Sequence, residues 1–203
     1  MLALLGWNPG TEQELFKMEE MIEAFSLERV GKSGSKFDPE KAKWFNHQYL
    51  VTRTNEQLAK EYLDDLRSKG FQVEFDRLVK ITALIKERAN FIKDFWEHSW
   101  FFFSSPKVYD EKTVKKRWKD NSSELLENIL TLLKDEELFQ RDKLEALVKG
   151  YIEKNELPMG QVMIGFRLCL VGSGTGPDLF AIMEILGKEE TIKRVRKGIG
   201  SIK

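Results

Sequence analysis

Apolar side chains recur at spacings of three and four along almost the whole of this chain. No segment alternates apolar with polar residues as a half-buried strand does. That periodicity restricts the fold to packed helices. Leu58, Tyr62, Leu63 and Leu66 share one face of a helix predicted over 55–68, with Gly70 just past its end. Leu78, Ile81, Leu84, Ile85, Ala89, Ile92 and Phe95 give 75–96 the period of one long helix or two abutting ones. Phe16, Met18, Met21, Ile22 and Phe25 predict a helix over 12–24, with Thr11 as its N-cap. Asp38-Pro39-Glu40 marks another start, Asp as cap and Pro at the first helical position. Further helices are predicted over 113–118 (short and basic), 123–133 behind Asn121 or Ser122, 141–154, 162–170, 178–186 and 189–197. Residues 100–103 form a dense aromatic knot, closed by Ser104, Ser105 and Pro106. The expected fold class is all-α, a bundle-like set of helices with a subdomain boundary near 139–144.

Composition narrows the function. With 203 residues, 41% of them apolar and 14 of them Phe, the chain can bury a sizeable core. Its 33 basic residues balance 33 acidic ones, so attraction to a polyanion has to come from local clusters. Cys169 is the single cysteine, which excludes an intramolecular disulfide, and its apolar surroundings mark it as a small buried hydrophobe. There is no signal-peptide pattern and no apolar run of about 18 residues, so a soluble, cytoplasmic chain without membrane contact is expected. Met1 stands directly against apolar residues 2–5, which suits a piece cut from a longer protein.

No catalytic centre is legible. His47 and His98 are the only histidines, and neither HExxH nor CxxC occurs, so no metal site is expected. A Cys–His pair would have to join Cys169 to one of them, and nothing supports that pairing. The segment VGSGTGP, 171–177, has the look of a glycine-rich dinucleotide turn. Such a turn needs a strand before it and, after its helix, a second strand carrying an acid about 20 residues on. Only 26 residues follow Pro177, they read as two helices with a basic end, and Arg167 would sit awkwardly in a buried strand.

The block 25–50, FSLERVGKSGSKFDPEKAKWFNHQYL, places Arg29, Lys32, Lys36, Lys41 and Lys43 among Phe37, Trp44, Phe45 and Tyr49. That mixture suits a nucleic-acid surface, or equally a helix with a buried aromatic face and a solvated lysine face. Its order decides more than its composition. GWNPG, then an acidic helix ending in AFSLERV, then KFDPEKAKWFNHQYL, closely resembles the bacterial glutamate–tRNA ligases just downstream of their catalytic domain. The resemblance continues through NELPMGQVMIGFRLCLVGSGTGPDLFAIMEILGKEETIKRV, and over 70–138 rests on helical character and KERANFIKDF.

The resemblance implies the helical C-terminal architecture of a class I synthetase, with the end of a stem-contact domain at 1–54 and two anticodon-binding subdomains at 55–140 and 141–203, a glutamate-specific tRNA as partner, and a monomer. It implies no catalytic residue and no cofactor here. The family's ATP-binding signatures, and with them ATP and magnesium, belong to a catalytic domain that this chain lacks. Trp7 and Trp44 are expected in the core, Pro9 and Gly10 in a turn, and Lys32, Lys36, Lys41 and Lys43 against stem phosphates. Arg88 matches an arginine that reads the last anticodon base, a cytosine, whose acceptors meet arginine donors where the donors of G would clash. Read without the resemblance, Arg88 is an exposed arginine paired near Glu87 or Asp94. Gly176, Pro177 and Leu179 match an anticodon-contacting loop, and Arg167 an arginine preceding it. The family often has proline two residues before that arginine; Gly165 stands there in this chain and leaves the local helix start open. Lys193, Arg194, Arg196 and Lys197 form a basic end suited to phosphate. A helical protein-interaction scaffold is the alternative, favoured by zero net charge and by the aromatic knot.

Overall fold

The computed structural model describes residues 2–31, 34 and 36–202. It divides into two compact units, Met1–Thr54 and Asn55–Lys203. Among the described residues no strand is formed beyond a single antiparallel bridge between Trp7 and Val30.

The first unit holds α1 (Ala3–Gly6), α2 (Met18–Ala24) and α3 (Pro39–Thr52). Asp38 caps α3 as expected, accepting the N–H groups of Glu40 and Lys41 at 2.9 and 3.2 Å. The helix predicted over 12–24 begins only at Met18. Residues before it run as an irregular arm that buries Phe16 against Trp7, ring centroids 6.2 Å apart, and the Tyr49 hydroxyl donates to the Phe16 carbonyl. Tertiary packing of one aromatic thus overrides a helical period. Trp7 is core, as predicted, but Trp44 is 39% exposed and Phe45 is buried in its place. Adjacent residues on a helix point about 100° apart, so only one of the two can face inward.

The second unit opens with α4 (Asn55–Ser68) packed on α5 (Phe75–Ile85). Gly70, with φ of 81°, closes α4: its N–H donates to Arg67 and that of Phe71 to Leu66, a Schellman ending. The period predicted over 75–96 is broken. After α5 come a 3-10 turn (Lys86–Arg88), an extended step and a second 3-10 turn (Ile92–Asp94) leading into α6 (Phe95–Ser99). The Asp94 carboxylate holds the break by accepting the N–H groups of Asn90 and Phe91 at 3.0 and 2.9 Å.

The knot is a 3-10 turn, Trp100–Phe102, with Phe101 and Phe102 buried. Around it, Trp96 stacks on Phe103 and Phe103 meets Phe71 and Tyr62. Two arginines hold its carbonyls: Arg77 donates to Phe102, and Arg194, itself bound to Glu190, donates to Phe101.

The remaining helices are α7 (Glu111–Arg117), α8 (Ser122–Asp135), α9 (Arg141–Lys154), α10 (Met159–Val171), α11 (Leu179–Leu186) and α12 (Lys188–Ser201). Helix α10 is apolar on nearly every side, and α7, α8, α11 and α12 surround it. It starts at Met159, behind Pro158, and Gly165 lies in its middle, where a Cβ would come within 3.3 Å of Leu126. Glycine here serves close approach of α8, with no bearing on the helix start. Gly198 does the same for α12: a Cβ there would lie 2.4 Å from the Cys169 sulfur. Cys169 is buried, as its apolar surroundings implied.

Candidate nucleic-acid interface

The end of α10 is turned by Gly172, at φ of 84°. A side chain at that position would be strained and would also meet the Val108 carbonyl at 2.8 Å. The loop then runs to Asp178, which caps α11 by accepting the Ala181 N–H at 2.8 Å. A helix precedes this glycine-rich loop, so the dinucleotide-turn geometry does not arise.

Two arginines from distant segments converge on the loop. Arg88, at the end of its 3-10 turn, donates from Nη2 to the Gly176 carbonyl at 2.8 Å. Arg167, from α10, donates from Nη1 to the Pro177 carbonyl at 2.6 Å. Gly176 leaves room for this: a Cβ there would lie 3.0 Å from the Arg167 Nη1. Burial pulls Arg167 below its ordinary pKa, Asp178 opposes that, and the nearby charge of Arg88 adds to it. A third arginine, Arg141 at the start of α9, lies 3.4 Å from the Asp178 carboxylate. Its hydrogen bonds to Asp142 and Asp178 raise its pKa.

Beside the loop lies a cleft of about 370 Å³, bordered by Arg88, Glu97, His98, Trp100, Gly176 and Pro177. Its size falls in the range of small-ligand sites. An aromatic face, a guanidinium and backbone carbonyls together can receive an unstacked nucleobase, by stacking and by hydrogen bonding to its edge.

The candidate residues separate into groups. Arg88, Arg167, Gly176 and Pro177 come together. Leu179 is adjacent in sequence but only 2% exposed, so its side chain belongs to the core. Arg194 is also corrected: at 4% exposed it is committed to Glu190 and to the Phe101 carbonyl, and it offers nothing to an outside phosphate. Lys193 pairs with Glu190 and Arg196 with Glu127, while Lys197 donates to the Pro106 carbonyl. In the first unit Lys41 pairs with Glu14, Lys43 with Glu40, and Lys36 is exposed. Lys32 lies outside the described residues.

Sequence reading missed Arg141, His98 and Trp100 as parts of this region. Arg141 carries no local signal, since its partner Asp178 lies 37 residues away. Trp100 was visible only as one of a run of aromatics. Among the described residues no group of three His, Cys, Asp or Glu side chains could hold a metal ion. No helix there is long and apolar enough to cross a membrane.

Glutamate–tRNA ligases are among the similar proteins. That of Flavobacterium johnsoniae is 49% identical over 201 residues, and that of Phocaeicola vulgatus 45% over 202 residues, covering 99% and 100% of this chain. The chain spans about 40% of the length of these relatives. A crystal structure of a glutamate tRNA ligase from Elizabethkingia meningosepticum, in complex with its amino acid, matches with a TM-score of 0.94 at 39% identity. That match covers 100% of this chain and 40% of the other. A model of the anticodon binding domain matches residues 49–199, a span that contains the cleft and the arginines around it. The chain belongs to the anticodon binding domain family.

Proposed function

We propose that the chain is the tRNA-contacting portion of a glutamate–tRNA ligase, and that its second unit reads the anticodon. One observation carries the reading: Arg88 and Arg167, from segments far apart in sequence, both close on the loop at Gly176 and Pro177, beside a cleft sized for a base. Arg88 is the residue proposed to select the last anticodon base as C over G. Arg167 positions the loop, and Arg141 steadies Asp178 at the start of α11. Residues 55–140 and 141–203 are proposed to act as two modules meeting at this site. Lys32, Lys36, Lys41 and Lys43 are proposed to contact stem phosphate. At the basic end Lys193, Arg196 and Lys197 are proposed for phosphate contact on the same footing, since each, like Lys41 and Lys43, has a surface partner that a phosphate would displace.

Attachment of glutamate to tRNA with ATP and magnesium is proposed for the longer parent protein, cytoplasmic and monomeric. The residues present here do not fit that chemistry. Neither ATP-binding signature occurs among them, and no reaction step is assigned to them. The helical scaffold alternative loses its chief support, because Trp100 and Phe101, two of the aromatics that suggested it, border the cleft.

Fluorescence anisotropy tests the reading directly. The chain is titrated with an anticodon stem-loop of a glutamate tRNA, and with one whose last anticodon base is G. Salt-sensitive binding with a preference for C of ~10-fold, lost in Arg88→Ala, is the expected result. Salt-sensitive binding with no base preference would remove Arg88 as the discriminator, and absence of binding to either RNA and to whole tRNA would overturn the reading.

A further inference from the structure

Helix α7 carries Lys112, Lys115, Lys116 and Arg117, and Lys119 follows it. Five cations thus stand against one acid, Glu111, between positions 111 and 119 of a chain whose net charge is zero. All five are exposed. Lys112, Lys115 and Lys116 sit at i, i+3 and i+4 and so share one face.

The pairing of these residues sets them apart from the cations of α12. Among the described residues, no ion pair engages Lys115, Lys116, Arg117 or Lys119. Lys112 has its cap residue Asp110 nearby, but that carboxylate already accepts the Lys112 N–H and the Thr113 hydroxyl. Like charges at these spacings repel one another and weaken the helix. The helix dipole offsets this for cations in the last turn, yet leaves Lys112 and Lys119 unexplained.

Helix α7 also lies against the glycine-rich loop. The Asp110 N–H donates to the Gly172 carbonyl at 2.8 Å, and the Thr113 side chain presses on Gly174. Val108, just before α7, borders the same cleft as Arg88. The helix that carries the basic face therefore starts beside the loop that Arg88 holds and spans about 10 Å, the length of seven helical residues. Lys115, Trp118 and Lys119 also border a second hollow of about 320 Å³, together with Ser123, Ile202 and one acid, Asp120.

We propose that α7 and Lys119 form a rail for the RNA backbone, holding phosphates of the strand whose base enters the Arg88 cleft. The proposal rests on the tRNA reading above. In it Lys112, Lys115, Lys116 and Lys119 supply sequence-independent affinity, while Arg88 supplies the base preference.

The test compares the whole chain with the variant Lys112→Gln/Lys115→Gln/Lys116→Gln/Lys119→Gln and with the matching Lys→Arg variant. Each is titrated with the C-ending and G-ending stem-loops across a series of salt concentrations. Each phosphate contact contributes about 0.7 to 0.9 to the slope of log affinity against log salt. The Gln variant is expected to lose about 3 to 3.5 from that slope and to weaken on both RNAs alike, keeping the C preference. The Arg variant is expected to retain the slope. An unchanged slope in the Gln variant, with the parent chain binding in a salt-sensitive way, would overturn the rail and leave the anticodon reading standing. Absence of binding by the parent chain would overturn both.

Discussion

Arg88 donates to the carbonyl of Gly176 at 2.8 Å, joining positions 88 residues apart. This bond uses one of five guanidinium N–H donors. An ammonium at the same place keeps the charge but loses the planar fork. Arg88→Lys is therefore expected to leave the salt dependence of RNA binding within about one phosphate contact of the parent. Its preference for C over G is expected to fall to near unity, and titration of the two stem-loops side by side measures both. A retained preference would remove the fork as its source.

The closeness of Gly198 to the Cys169 sulfur makes α10 and α12 intolerant of added bulk. Gly198→Ala is expected to cost about 1–3 kcal/mol through overpacking. In a domain of this size that lowers Tm by roughly 2–4 °C per kcal/mol. Removing the sulfur relieves the closest contact but leaves the residue-169 Cβ 2.8 Å from the added methyl, so Cys169→Ala/Gly198→Ala should be less destabilised than the sum of its two single changes yet remain less stable than Cys169→Ala alone. A thermal-melt cycle over the four proteins decides this, and strict additivity would contradict it.

Arg194 is structural, and its neighbour Lys193 is not. Removing the Arg194 cation leaves the Phe101 carbonyl without its donor and Glu190, about a third exposed, with Lys193 alone, at about 1–3 kcal/mol. Lys193→Ala, on an exposed side chain, is expected to stay within about 0.5 kcal/mol of the parent. Urea midpoints distinguish the two, and equal midpoints would show that Arg194 holds nothing in place.

Alkali should unfold the second unit by a predictable route. Burial pushes the Cys169 thiol up to about 12 from its ordinary 9.0. Burial also pushes the Tyr62 hydroxyl up to about 12 from 10.0, against the opposing pull of its hydrogen bond with Ser99. Both folded values lie above the unfolded ones, so the unfolded chain releases these protons first. Their contribution to stability is complete below about pH 9 and is lost as pH rises towards 12, at about 1.4 kcal/mol per pH unit for each proton. Cys169→Ala is expected to flatten that loss between pH 9 and 12 in denaturant titrations. In the parent chain the thiol should stay unreactive towards a disulfide reagent at pH 8 until denaturant opens the fold.

The helical class was legible because most helices carry their own stop and start chemistry. Asp38-Pro39 and Gly70 act at the chain positions where the sequence placed them, and Asp178 caps a helix predicted to begin with it. Two segments misled for opposite reasons. Phe16 belongs to the right period, but packing on Trp7 draws it into an irregular arm. Between Ile85 and Phe95 the period is genuine on both sides, yet Asp94 caps a break inside it, a side-chain role that hydrophobic spacing does not record. That break sets Arg88 at the end of a 3-10 turn instead of inside a helix. The convergence of Arg88 with Gly176, and of Arg141 with Asp178, is long-range and leaves no local trace. The pairing of Lys193 and Arg194 with Glu190 was readable in principle, since the three stand at i, i+3 and i+4.

Because the cleft is assembled from residues 88–108 and 171–177, a growing polypeptide carries half of it long before the other half exists. Synthesis at about 5–20 residues per second separates Arg88 from Gly176 by roughly 4–18 seconds. Through that interval Trp100 and Phe101 have neither the loop nor α11 to cover them, and the Phe101 carbonyl has no Arg194. The nascent chain is thus expected to expose these aromatics during one defined window of translation. Ribosomes stalled with residue 202 inside and outside the exit tunnel should differ in protease sensitivity at residues 100–103, and equal sensitivity would exclude the window.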